Sequence, residues 1–265
     1  MVASVTSWQG ITLSTLFGGD VDGPVGWGYL AVFCGLKIAS NALQMTHTGT
    51  AAAVLICSIA LVFLTLAVAF VLRTALSYAC SPSERALRHT AFDRILSVAF
   101  HLLAAIAMAF LAAGGWELAS RPPPPPPPGD THRGESHAGA GAMVLMLSTI
   151  LICAVAVLGY LDLGRPDGGG GGGGGGGGFG FGFRRRERLG RRERLGRRLI
   201  LAAAVAALCL AVRVGGGLHW FFGSGPEANP VTGRLGLRLA LGTLPELVAA
   251  LVLVVGGVVT WDIAR

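Results

Sequence analysis

Lys37, Ser40, Asn41 and Gln44 stand at offsets of zero, three, four and seven residues within one apolar run. That spacing puts them on a single face of a helix. Arg213 and Glu246 each lie in a later apolar run, and His101 in another. Ionisable groups surrounded by so much apolar sequence are costly unless paired, which makes them candidates for function. Two chemistries suit them. An arginine and a glutamate together carry no net charge, and adding the lysine leaves one positive charge, which fits an anionic ligand. A carboxyl group kept from water is also a candidate proton donor. The ligand-binding candidates are therefore Lys37, Asn41, Gln44, His101, Arg213 and Glu246.

A plainer reading exists for each. Thr243-Leu-Pro-Glu246 has the spacing of a capping box with proline in the first turn, so Glu246 can close a helix N-terminus. Lys37 and Arg213 can run their aliphatic stems toward the headgroups of a bilayer. His101 can be a satisfied bundle histidine, and His219, beside Trp220, an interface residue. Ser40, Asn41 and Gln44 can serve as glue between helices.

The elements that must position these residues follow from composition. The chain has 265 residues, of which 52% are hydrophobic and 13% charged, with a mean hydropathy of +0.63. Soluble domains carry about a quarter charged residues, so a water-soluble enzyme is excluded. The apolar residues come in blocks, which excludes a disordered chain. About 20 apolar residues cross a bilayer as a helix. Six runs meet that length, at about 26–45, 51–72, 95–115, 141–161, 199–222 and 239–261. The alternating ten-residue segments of a β-barrel are missing. The expected fold is all-α, a polytopic transmembrane bundle of six spans. At a rise of 1.5 Å per residue, Arg213 falls about 4 Å and Glu246 about 6 Å from the centre of their runs, on the same side, with Lys37 also near its centre. An Arg213–Glu246 ion pair is expected, with Lys37 and Gln44 close by.

The loops set an orientation. Arg73, Arg85, Arg88 and Arg94 lie between the second and third runs. Arg165 and nine arginines (Arg184, Arg185, Arg186, Arg188, Arg191, Arg192, Arg194, Arg197 and Arg198) lie between the fourth and fifth. Positive loops stay cytosolic, so these two face inward, and segment 1–25 does too. Segment 116–140, which holds Pro122–Pro128, is expected outside as a short stiff rod. Segment 162–198 reads as a low-complexity cytosolic loop, with eleven consecutive glycines at Gly168–Gly178 and then RRERLG twice in tandem. Its arginines either enforce cytosolic placement or hold anionic lipids at the membrane surface. No fold surrounds them to bind nucleic acid. The five cysteines are scattered and show no metal-ligand spacing, so neither a metal nor another cofactor is expected. No basic residue precedes Lys37, so no cleaved signal peptide is expected.

Several stretches resemble a fungal family of multi-pass integral membrane proteins that carry a domain of unknown function. They are Gly26–Gln44 (GWGYLAVFCGLKIASNALQ), Ala211–Arg213, Asn229–Leu241 (NPVTGRLGLRLAL) and Leu244–Val248 (LPELV). The resemblance implies seven spans with an outside N-terminus, and nothing about chemistry. Here the first of those spans has no counterpart, because Ile11–Gly19 is too short and too polar. Three functions compete. The first is binding or transport of a small anionic or lipidic compound, with a non-catalytic membrane scaffold as its plain counterpart. The second is a membrane-embedded enzyme of terpene-cyclase-like or lipid-modifying type, with Glu246 as proton donor; no aspartate-rich metal motif or histidine cluster supports it. The third is a G-protein-coupled receptor, suggested by Asp93-Arg94. In this chain that pair opens an outward-running helix, whereas in receptors it closes an inward-running one.

Overall fold

The structure, a computed structural model, describes residues 23–45, 50–79, 90–119, 131–163, 181–222 and 239–264. Six helices account for them: α1 (Gly23–Met45), α2 (Thr50–Ala79), α3 (Thr90–Ala119), α4 (Thr131–Leu163), α5 (Phe181–Phe222) and α6 (Leu244–Ala264). A π-helical turn, Leu239–Thr243, leads directly into α6. Among the described residues there is no strand.

Five segments are long and apolar enough to cross a membrane: Leu55–Ser77, Ile95–Glu117, Ser136–Leu161, Arg194–His219 and Leu239–Val259. The chain is a multi-pass membrane protein. α1 has the length of a span but is less apolar, because the stripe from Lys37 to Gln44 occupies one of its faces. The bundle's lipid-facing surface is plain in the side chains turned outward. Ile38, Leu102, Leu147, Leu208, Leu251 and Val258 are all exposed, at a density that a monomer in water does not tolerate.

α2 is the axis of the bundle. Its run Ala51–Leu72 has no charge and is apolar all round, the pattern of a helix enclosed on every side. It touches all five other helices, while α3, α4, α5 and α6 follow one another around it. Leu64, Val68 and Leu72 of α2 are fully buried with Leu145 and Ile152 of α4, Ile200 and Leu210 of α5, and Leu253 of α6. α1 packs its backbone closely against α2 alone.

Most hydroxyls inside the spans are consumed locally. Thr65, Ser148 and Thr149 each donate to the carbonyl four residues back, at 2.8–2.9 Å, which satisfies them without a partner helix. Ser40 differs: its Oγ donates across to the carbonyl of Ala53 in α2 at 2.8 Å. Small residues allow close approach where helices meet. A Cβ placed on Gly141 would meet the α3 backbone at Ala107 and Leu111, 3.1 Å away. One on Gly257 would overlap the Trp27 ring. One on Gly216 would meet Leu241 at 3.1 Å, whereas Gly215 faces open space.

The tandem arginine repeat, expected as loop, is helical and continuous with the span that follows it. Arg, Glu and Leu are good helix formers, and one glycine in six does not interrupt them. α5 is 42 residues long, or about 63 Å. Pro122–Pro128 and Gly168–Gly178 lie outside the described residues, as do Arg85, Arg88, Arg121 and Arg165.

Candidate functional site

The charged residues of α1, α5 and α6 converge on one carboxylate. Arg213 Nε donates to Glu246 Oε1 at 2.7 Å. The Lys37 ammonium pairs with the other oxygen, Oε2. Glu246 is 3% exposed, Arg213 16% and Lys37 23%. The carboxylate is therefore sealed between two cations, of which the lysine is the more accessible. A fourth group joins them. Lys37 Nζ donates to Cys57 Sγ of α2 at 3.0 Å.

Local structure explains how each group arrives. α1 and α2 form an antiparallel pair, and Ser40 opposite Ala53 sets its register. Moving three residues back on α1 and four forward on α2 puts Lys37 opposite Cys57. Arg213 extends from α5 beside α2, and α6 returns antiparallel to α5 with Glu246 in its first regular turn. The π turn carries the helix back to Leu239, so Glu246 is not at a free helix end and its carboxylate turns to the cations. Such π segments are frequent at functional sites. The expected Arg213–Glu246 pair is thus present, and the lysine closes a triad with a net charge of one positive unit.

Two of the expected partners sit elsewhere. Gln44 is half-buried, about two turns beyond Lys37, and among the described residues it hydrogen-bonds to none of the triad. Asn41 is exposed. His101 belongs to a different pair. Its Nδ1 lies 2.7 Å from the carbonyl of Ser97, and its Nε2 lies 3.1 Å from the hydroxyl of Tyr29. A carbonyl only accepts, so Nδ1 carries the proton, and in the neutral ring Nε2 accepts from the tyrosine. Phe70 packs edge-on against that imidazole, with ring centroids 5.6 Å apart. Tyr29 is eight residues before Lys37, about 12 Å along α1, so the histidine is remote from the triad. Cys57 is not among the residues that charge or polarity singles out in the sequence; the register of the α1–α2 hairpin is what brings it to Lys37.

No family model, curated protein or solved structure matches the chain. The site must therefore be read from its own geometry. Among the described residues, no three His, Cys, Asp or Glu side chains group as metal ligands would. Arg194 and Arg198 are exposed and Arg197 is half-buried on α5. The side chains of the other arginines in the repeat lie outside the described residues.

α1 and α6 run antiparallel without close backbone packing. Two side-chain bridges span the gap: Trp27 laid over Gly257, and Lys37 reaching Glu246. The bridges are ten residues apart on α1, about 15 Å. The triad stands at the end where α5 finishes and α6 begins.

Proposed function

We propose that the protein binds, and in its membrane carries, a small anionic or lipidic compound whose acidic group is received by Lys37 and Arg213. The observation behind this reading is the charge count at the triad: two cations close on one carboxylate inside an apolar bundle, with one positive charge in excess. A purely structural ion pair has no need of the third group, and an unbalanced charge in a bilayer is costly. An arriving anion would restore balance. Lys37, the most exposed member, is the natural first contact, and the loosely bridged seam between α1 and α6 supplies a lateral way in. A proton-donor role for Glu246 has less support, because both cations would have to release it first.

Native mass spectrometry in lipid nanodiscs tests the proposal, with wild type beside Lys37→Met. A discrete extra mass of acidic composition on wild type, absent from folded Lys37→Met, is the expected result. A bare wild-type mass, or an extra mass indifferent to the substitution, would overturn it. The scaffold reading would then stand, since Glu246 is already saturated by its two partners within the protein.

A further inference from the structure

The seam between α1 and α6 has a defined register. Trp27 lies over Gly257 and Lys37 reaches Glu246, so the residues between these bridges pair off antiparallel. Cys34 falls level with Ala250, and Leu30 with Leu253. Offsets of three, seven and ten residues from Trp27 keep Leu30, Cys34 and Lys37 on one side of α1. Offsets of four, seven and eleven from Glu246 do the same for Ala250, Leu253 and Gly257 on α6. Both rows therefore face the seam. Leu30 and Leu253 are buried and make an apolar floor. Cys34 is exposed although it faces a helix, and Ala250 is half-buried. Small residues normally draw membrane helices together. Here the two backbones stay apart, and the small side chains leave a slot that opens toward lipid.

We propose that this slot seats the tail of a single-chain carboxylic acid of fatty-acid length, with its carboxylate on Lys37. The slot rests on the function proposed above and adds the class of compound to it. Charge chooses the head. An ammonium has three N–H donors. Among the described residues Glu246 and Cys57 take two of them, which leaves one for the ligand. The excess charge of the triad is a single positive unit. A carboxylate matches it, whereas a phosphate monoester carries more than one negative charge at neutral pH. Length chooses the tail. Lys37 and Trp27 are about 15 Å apart along α1, half of a hydrocarbon core of about 30 Å. One leaflet-length chain fills that reach, and Trp27 closes its far end. Each helix supplies one row of side chains to the slot, which suits one chain and not the paired tails of a phospholipid.

The test is native mass spectrometry in phosphatidylcholine nanodiscs loaded with palmitate or with hexadecanol. Wild type should retain palmitate as a discrete mass, and hexadecanol about tenfold less, because the alcohol forms no charge-assisted hydrogen bond with Lys37. Lys37→Met should lower palmitate retention by a similar factor. Cys34→Trp, which fills the slot and leaves the triad intact, should abolish it. Palmitate lost in Lys37→Met but kept in Cys34→Trp would overturn the slot and leave the triad as an anion site. Palmitate kept in Lys37→Met would overturn both. A wild type that takes no palmitate, or that takes hexadecanol equally well, would overturn the fatty-acid assignment alone. Should Cys34→Trp fail to fold, Ala250→Leu on the opposite wall decides.

Discussion

Glu246 is the residue on which the cluster depends, because it is the shared counter-charge of both cations. Removing one member of a buried pair leaves the other charge uncompensated, at a cost of about 3–5 kcal/mol. Glu246→Gln strands both Lys37 and Arg213, so a loss of about 3 kcal/mol or more is expected in detergent unfolding. Lys37→Met leaves a neutral Arg213–Glu246 pair and should cost about 1 kcal/mol. If the lysine variant proves the weaker of the two, the assignment of Glu246 as the hub fails. The double variant should be less harmful than the sum of its parts, because the residues share one network. Much of this was legible in the sequence. Lys37, Arg213 and Glu246 stand out as charges in apolar runs, and a rise per residue sufficed to bring them level. Cys57 and the separation of His101 were not legible, since a thiol carries no charge to betray it and the histidine's partner, Tyr29, shares its helix with Lys37.

The order of the apolar helices could be read from hydropathy, because a bilayer demands a long apolar run, whereas their lengths could not, since α2 to α5 continue past those runs. The π turn ahead of α6 could not, as nothing in Leu239-Ala-Leu-Gly-Thr243 separates it from regular helix. The arginine repeat was the opposite case, since its good helix formers were outweighed by its look of low complexity. The contact of α1 with α6 yields a prediction of its own. Gly257→Val would drive a side chain into the Trp27 ring, and overpacking of this kind costs about 1–3 kcal/mol. Thermal unfolding should show that loss, and Trp27→Ala in the same chain should recover part of it. No recovery would mean that the ring is not what Gly257 accommodates.

The molecule as a whole is an arc of four helices, α3 to α6, around α2, with α1 packed on α2 and bridged by side chains to both α3 and α6. The arginines between α2 and α3 and those that lead into α5 predict its sidedness, with both segments cytosolic. N-glycan acceptor sites placed between α3 and α4 should be modified in microsomes, and sites placed between α4 and α5 should not. The reverse pattern would invert the orientation of the triad and the slot together. The way α1 is held also bears on the order of synthesis. Lys37 leaves the ribosome 209 residues ahead of Glu246, a delay of about 10–40 s at ordinary translation rates. Throughout that interval α1, which falls short of the five apolar spans in hydropathy, has α2, the Cys57 sulfur and the Tyr29–His101 contact to hold it, and no counter-ion. Its residence in the membrane is completed only when α6 brings Glu246 to Lys37. A ribosome stalled before α6 should therefore leave α1 extractable while α2 stays embedded, with α1 secured in effect by a helix made long after it.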